Sequence, residues 1–93
     1  MLNKNNSSIL IRFNTEEFSI EANHHHIVVI NHLSLRVDLY SSETGDLAGG
    51  FLLNSESPRC SDLTGRLLCV GFKQNIEVWD LEDIIISCQC LGF

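Results

Sequence analysis

The chain has 93 residues, 44% of them apolar and 19% charged, and a formal net charge of -6 at pH 7. That length holds one small domain with little stability to spare, and the apolar content excludes a disordered segment. The six Lys and Arg are scattered from Lys4 to Lys73, which excludes the basic stripe that nucleic acid or an anionic membrane surface requires.

The start, MLNKNNSS, is polar, and Ile9–Leu10–Ile11 after it is interrupted by Arg12. This is shorter than the roughly 7–15 apolar residues of a secretory signal. No run reaches the roughly 20 apolar residues of a membrane span. A soluble cytoplasmic protein is expected, with the nucleus as the other compartment and the four cysteines as reduced thiols.

Ile9 to Phe13 reads as a first strand and Phe18 to Ala22 as a weaker one. His26 to Ile30 (HIVVI) is rich in β-branched residues, and Leu35 to Tyr40 (LRVDLY) alternates with a period of two. Leu47 to Leu53 follows, with two glycines that signal a bulge or a close approach. Arg66 to Phe72, Ile76 to Leu81 and Ile84 to Leu91 complete the strands. Turn residues fall between them: SSETGD at 41–46, NSESPR at 54–59, DLTGR at 62–66 and FKQN at 72–75. The best helical window, Asp80 to Ile86, is short and rich in isoleucine. The reading is all-β, one β domain over 1–93.

An internal repeat organises these strands. Sliding the second half back by 39 positions puts Trp79 on Tyr40, Val78 on Leu39 and Ile76 on Val37. The same shift puts Cys69, Leu68 and Leu67 on Ile30, Val29 and Val28. A period near 40 with several short strands per unit is the signature of a propeller blade. The stretch CSDLTGRLLCVGFKQNIEVWDLED resembles the second half of a WD repeat, in which strand c closes on Trp-Asp. The stretch NHHHIVVINHLSLRVDLYSSETGDLAGGF is similar to a degenerate neighbour, with Tyr40-Ser41 in place of Trp79-Asp80. The resemblance implies antiparallel four-stranded propeller blades, with a degenerate blade and its preceding strand over 7–53 and a better-preserved one over 54–93. It assigns the blade signature to Trp79, Asp80, Tyr40, Gly45 and Gly65. About two blades make an incomplete propeller, to be completed by further blades or by copies of the same chain.

Chemistry-bearing residues are few. His24 and His26 project to one face of an extended chain and are the metal candidates, but zinc needs a third and usually a fourth ligand. Cys60, Cys69, Cys88 and Cys90 lack the Cys-x-x-Cys spacing of a zinc knuckle. No metal or cofactor is therefore expected. Asp80, Glu82 and Asp83, like Glu16-Glu17, read as a solvated turn rather than a pair of carboxylates held in different environments. The serines of SSE (41–43) and SES (55–57) lack a local His-and-acid context for nucleophilic attack. Trp79 reads as a packing anchor between blades. The resemblance implies a non-catalytic protein–protein interaction scaffold, its partners other proteins or further blades. The alternative is a small, self-associating, lectin-like propeller that binds a ligand between blades.

Overall fold

The computed structural model describes residues 8–12, 17–54 and 56–90. In chain order the elements are β1 (Phe18–Ala22), β2 (His26–Asn31), β3 (Arg36–Ser41), β4 (Leu47–Leu52), β5 (Cys60–Thr64), β6 (Leu67–Gly71), β7 (Ile76–Asp80) and α1 (Leu81–Cys90). Strands pair antiparallel with their chain neighbours, giving one sheet in the order β1-β2-β3-β4 and a second in the order β5-β6-β7. The fold is mostly β, with two antiparallel sheets and one short helix. Among the described residues the sheets do not close into a ring.

Alternation decides which side chains meet. Val28 and Ile30 of β2 and Val37 and Leu39 of β3 share one face of the first sheet, because their ladder pairs are Val28↔Leu39 and Ile30↔Val37. These four join Leu68 and Val70 of β6, together with Leu53 and Leu81, in a single buried cluster. Phe51, Leu63, Trp79, Ile84 and Ile85 pack around its margin. Each fully buried aliphatic side chain stabilises the fold by about 1.5–3 kcal/mol relative to exposure. Ser61 Oγ donates to Glu21 Oε2 (2.8 Å) and Asn23 Nδ2 to Gly65 O (2.6 Å), tying β5 and its turn to the first hairpin.

The two sheets repeat one another in backbone detail. Asn23 N donates to His26 O across the two-residue turn His24-His25, and Thr64 pairs with Leu67 across Gly65-Arg66. These positions lie 41 apart (23 to 64, 26 to 67). Four residues, 32–35, separate the last β2–β3 pair, whereas Phe72 N donates to Asn75 O across Lys73-Gln74. The shorter second turn removes two positions, so β3 and β7 correspond at 39 (36 to 75). Two equivalent bonds then close the hairpins: Ser42 N to His25 O and Leu81 N to Arg66 O. The 39-position match thus holds for Ile76, Val78 and Trp79. In β6 the equivalents of Val28 and Ile30 are Cys69 and Gly71, two positions beyond the residues that the ungapped match selects.

The structure departs from the sequence expectation in three places. Cys60–Thr64 is strand β5, although DLTGR at 62–66 is expected as a turn. Residues 9–12 carry no strand, and Phe13 lies outside the described residues. Of the run Ile84 to Leu91, read as a strand, Ile84 to Cys90 falls on α1 and Leu91 lies outside the described residues, so among the described residues the second sheet has three strands rather than four. The helix forms because Asp80 caps it, its Oδ1 accepting from Glu82 N at 3.0 Å. Glu82 and Asp83 also lie in the first turn, where the helix dipole favours negative charge. Leu81, Ile84, Ile85 and Cys88 then form one apolar stripe at helical spacing, with Leu81 and Cys88 buried. Cys88 approaches Gly49 of β4 so closely that a β-carbon there would sit 3.2 Å from its sulfur.

Candidate functional site

Trp79 faces the first sheet, since its ladder partner Leu68 is buried there. Its indole stacks on Phe51 with ring centroids 4.0 Å apart and planes 26° from parallel. Nε1 donates to Glu77 Oε1 (3.1 Å), while Glu77 Oε2 accepts from Asn54 Nδ2 (2.7 Å). The Trp side chain therefore joins the fourth strand of one sheet to the third of the other. Asp80 serves a different purpose. Besides capping α1, it pairs through Oδ2 with Arg66 Nε at 3.1 Å, and Arg66 Nη1 reaches Glu82 Oε2 at 3.2 Å. Arg66 and Glu82 are exposed and Asp80 is half-buried, and pairs with an exposed partner contribute about 0–1 kcal/mol each. Asp80→Ala should cost about 1 kcal/mol through the lost cap, read as a lower urea midpoint and weaker helical circular dichroism.

Tyr40 occupies the position of Trp79 in the first sheet, but on the opposite side from the core cluster, paired with Ile27 and Leu47. Burial, then the nearby Asp38 carboxylate, pushes its phenol up, and Arg36 opposes this. Arg36 Nε and Asp38 Oδ1 are paired at 2.7 Å. Gly45 and Gly65 both sit at turns with left-handed backbone (φ 80° and 59°), a region where a β-carbon is strained. Gly45 N closes its turn on Ser41 O at 2.8 Å.

His24 is exposed and His26 half-buried, at the tip and exit of the β1–β2 turn, where Asn23 Oδ1 accepts from the N–H groups of His25 and His26. Among the described residues no group of three or more His, Cys, Asp or Glu is placed to hold a metal. His26 Nδ1 is buried without a hydrogen-bond partner. Burial first, then His25, pulls the His26 pKa below its ordinary 6.5, and Glu82 pulls the other way. The unfolded chain therefore binds this proton more readily than the folded one. Stability should be fully in place above the ordinary value and fall as pH drops from there through the lowered one. Urea midpoints taken from about pH 7.5 down to about pH 5 should decline less in His26→Leu than in the parent.

The sequence offers Ser57 of the SES turn no local His-and-acid context, and the fold brings it a histidine from a distant strand end. His32 Nδ1 lies 2.7 Å from Ser57 Oγ, and its Nε2 lies 2.6 Å from Ser19 Oγ. The partners are 25 and 13 positions away in the chain, beyond the reach of a local motif. Hydroxyls can donate or accept, so both ring nitrogens are satisfied in either tautomer. Carboxylate orientation of the imidazole, the usual third component of a nucleophile system, is not provided by these contacts. The four cysteines are free thiols, Cys88 buried, Cys69 half-buried, Cys60 and Cys90 exposed.

Two surfaces remain. An open cleft of about 510 Å³ is lined by His25, His26, Gly65, Arg66 and Glu82, where the two equivalent turns meet the start of α1. On the far side of the second sheet, alternation points Leu67, Cys69, Ile76 and Val78 away from the core. Ile76 is 72% and Val78 61% exposed. A smaller groove of about 340 Å³ runs across this face between Cys60, Cys69, Phe72 and Ile76. The repeat aligns Ile76 and Val78 with Val37 and Leu39, which are buried. In the structure their counterparts are covered by the second sheet, while they themselves are open. No helix among the described residues is long and apolar enough to cross a membrane. No family model, curated protein or solved structure matches the chain.

Proposed function

We propose that the chain is a non-catalytic protein–protein interaction scaffold, built as a WD-like propeller segment of about two blades. The observation that carries this reading is the apolar outward face of the second sheet, where Leu67, Ile76 and Val78 are exposed side by side. Exposed apolar patches of this kind mark contact sites for other macromolecules. The propeller-like part rests on the two equivalent hairpins, their matched closing bonds and the face-to-face packing of successive sheets. Fold alone does not fix function, so the surface is what matters. The partners in this reading are proteins or further blades in the cytoplasm, with no nucleic acid, membrane or cofactor.

A photo-cross-linking amino acid at Val78 tests it in cells, with the same group at exposed Lys73 as control. Discrete protein adducts from position 78 and none from 73 are expected. Equal adducts from both positions, or none from either, would remove the scaffold reading.

A second reading, a self-associating lectin-like protein, is favoured by the open cleft that brings His25, His26, Arg66 and Glu82 together. Amide resonances of Arg66 and His26 would then shift on titration with oligosaccharides. Unmoved resonances at millimolar sugar would leave the scaffold reading alone.

A further inference from the structure

We infer that the partner of this outward face is the first sheet of a second copy of the chain, so that copies stack head to tail. This deepens the scaffold reading above and rests on it. The chain already makes one such contact with itself. The inner face of the first sheet, carrying Val28, Ile30, Val37 and Leu39, is covered by the second sheet. The equivalents of that face on the second sheet are Cys69, Gly71, Ile76 and Val78, and nothing among the described residues covers Ile76 or Val78. The repeat therefore presents the same kind of face twice and covers it once.

The covering surface is also present twice. The second sheet meets the first through Ser61, Leu63, Leu68, Val70 and Trp79. Their equivalents on the first sheet are Ile20, Ala22, Ile27, Val29 and Tyr40, which point away from the core by the same alternation. Ile20 is 52% exposed on β1 at one edge of the sheet, and Leu47 and Leu52 are exposed on β4 at the other edge. Each copy thus has one face of each kind outside its own sheet-to-sheet contact, open at Ile20 on one and at Ile76 and Val78 on the other while Val29 is already buried, and the internal contact is the template for joining them. Such a contact pairs two different surfaces, so repetition gives a closed ring or an open filament rather than a twofold dimer.

Light scattering across a concentration series, with two charge substitutions, tests this. The parent should show masses above one chain. Ile20→Glu and Val78→Glu should each be monomeric, because each spoils one face. Mixed in equal amounts they should give a two-chain species, since Val78→Glu keeps the first-sheet face and Ile20→Glu keeps the second. Both positions are exposed, so folding should persist, checked by Trp79 emission. Should either variant fail to fold, Leu52→Gln and Ile76→Gln repeat the pair. A monomeric parent at every concentration would overturn the inference. So would Ile20→Glu dimerising alone while Val78→Glu does not, which would mean contact between two second sheets. In either case position 78 adducts to other proteins would leave the scaffold reading standing, and their loss would not.

Discussion

Trp79→Ala should lower the unfolding free energy by about 3 kcal/mol, the range for removing a well-packed aromatic. Domains of this size have total stabilities of about 5–10 kcal/mol, so the variant loses a large share of its margin. Two losses combine in that figure. The indole contributes apolar area to the rim of the core cluster, and its stack on Phe51 at 4.0 Å is a contact between sheets rather than within one. Trp79→Phe keeps a ring over Phe51 and should cost only about 1 kcal/mol. Urea unfolding followed by far-UV circular dichroism measures both. A cost below about 0.5 kcal/mol for the alanine variant would be that of a surface position. It would place the indole outside the contact between the sheets.

Leu81→Ala should be of comparable size, about 2–5 kcal/mol. Leu81 is fully buried in the cluster, and its N–H closes the second hairpin on Arg66 O at 2.8 Å. Alanine keeps that N–H and removes only the packing, so the loss reports the docking of α1. Ile86→Ala is the discriminating companion. On a strand, Ile84, Ile86 and Cys88 would share a face; on the helix, Ile84, Ile85 and Cys88 do, and Ile86 is exposed. The Ile86 variant should stay within about 0.5 kcal/mol of the parent. A loss at Ile86 as large as that at Leu81 would return the segment to a strand.

The strands that carry the core were legible. Phe18–Ala22 and the starts of β2, β4 and β7 fall where β-branched runs and turn residues put them, and β3 and β6 begin one residue later than read. The weak strand β5 was not, because its outward positions, Cys60, Asp62 and Thr64, are polar or small and only Leu63 joins the core margin. An edge strand with one apolar anchor looks like a turn. For α1, the isoleucine run carried β propensity, but spacing carried the better signal. Leu81, Ile84, Ile85 and Cys88 mark a helical stripe directly after a capping aspartate, and tertiary packing outweighs the propensity of three isoleucines.

The candidate surface was half legible. Trp79, Val78 and Ile76 were aligned with Tyr40, Leu39 and Val37, and the backbone repeats at that spacing. What an alignment could not supply is the neighbour. Val37 and Leu39 are covered by the second sheet, and the same positions one unit later face outward. The roles within Trp79-Asp80 were likewise hidden in the dipeptide, one side chain stacking between sheets and the other capping the helix that replaces a fourth strand.

The outward surface is set by which faces of the two sheets meet, and methyl-to-methyl NOEs in isoleucine-, leucine- and valine-labelled protein test this most directly. Cross-peaks should join the group Val28, Ile30, Val37 and Leu39 to Leu68 and Val70. Ile76 and Val78 should show none to Val37 or Leu39, whether the chain is alone or stacked on another copy. Cross-peaks from Ile76 and Val78 to Val37 and Leu39 would mean that β7 presents its other face to the core. The outward surface, and the function read from it, would then be gone.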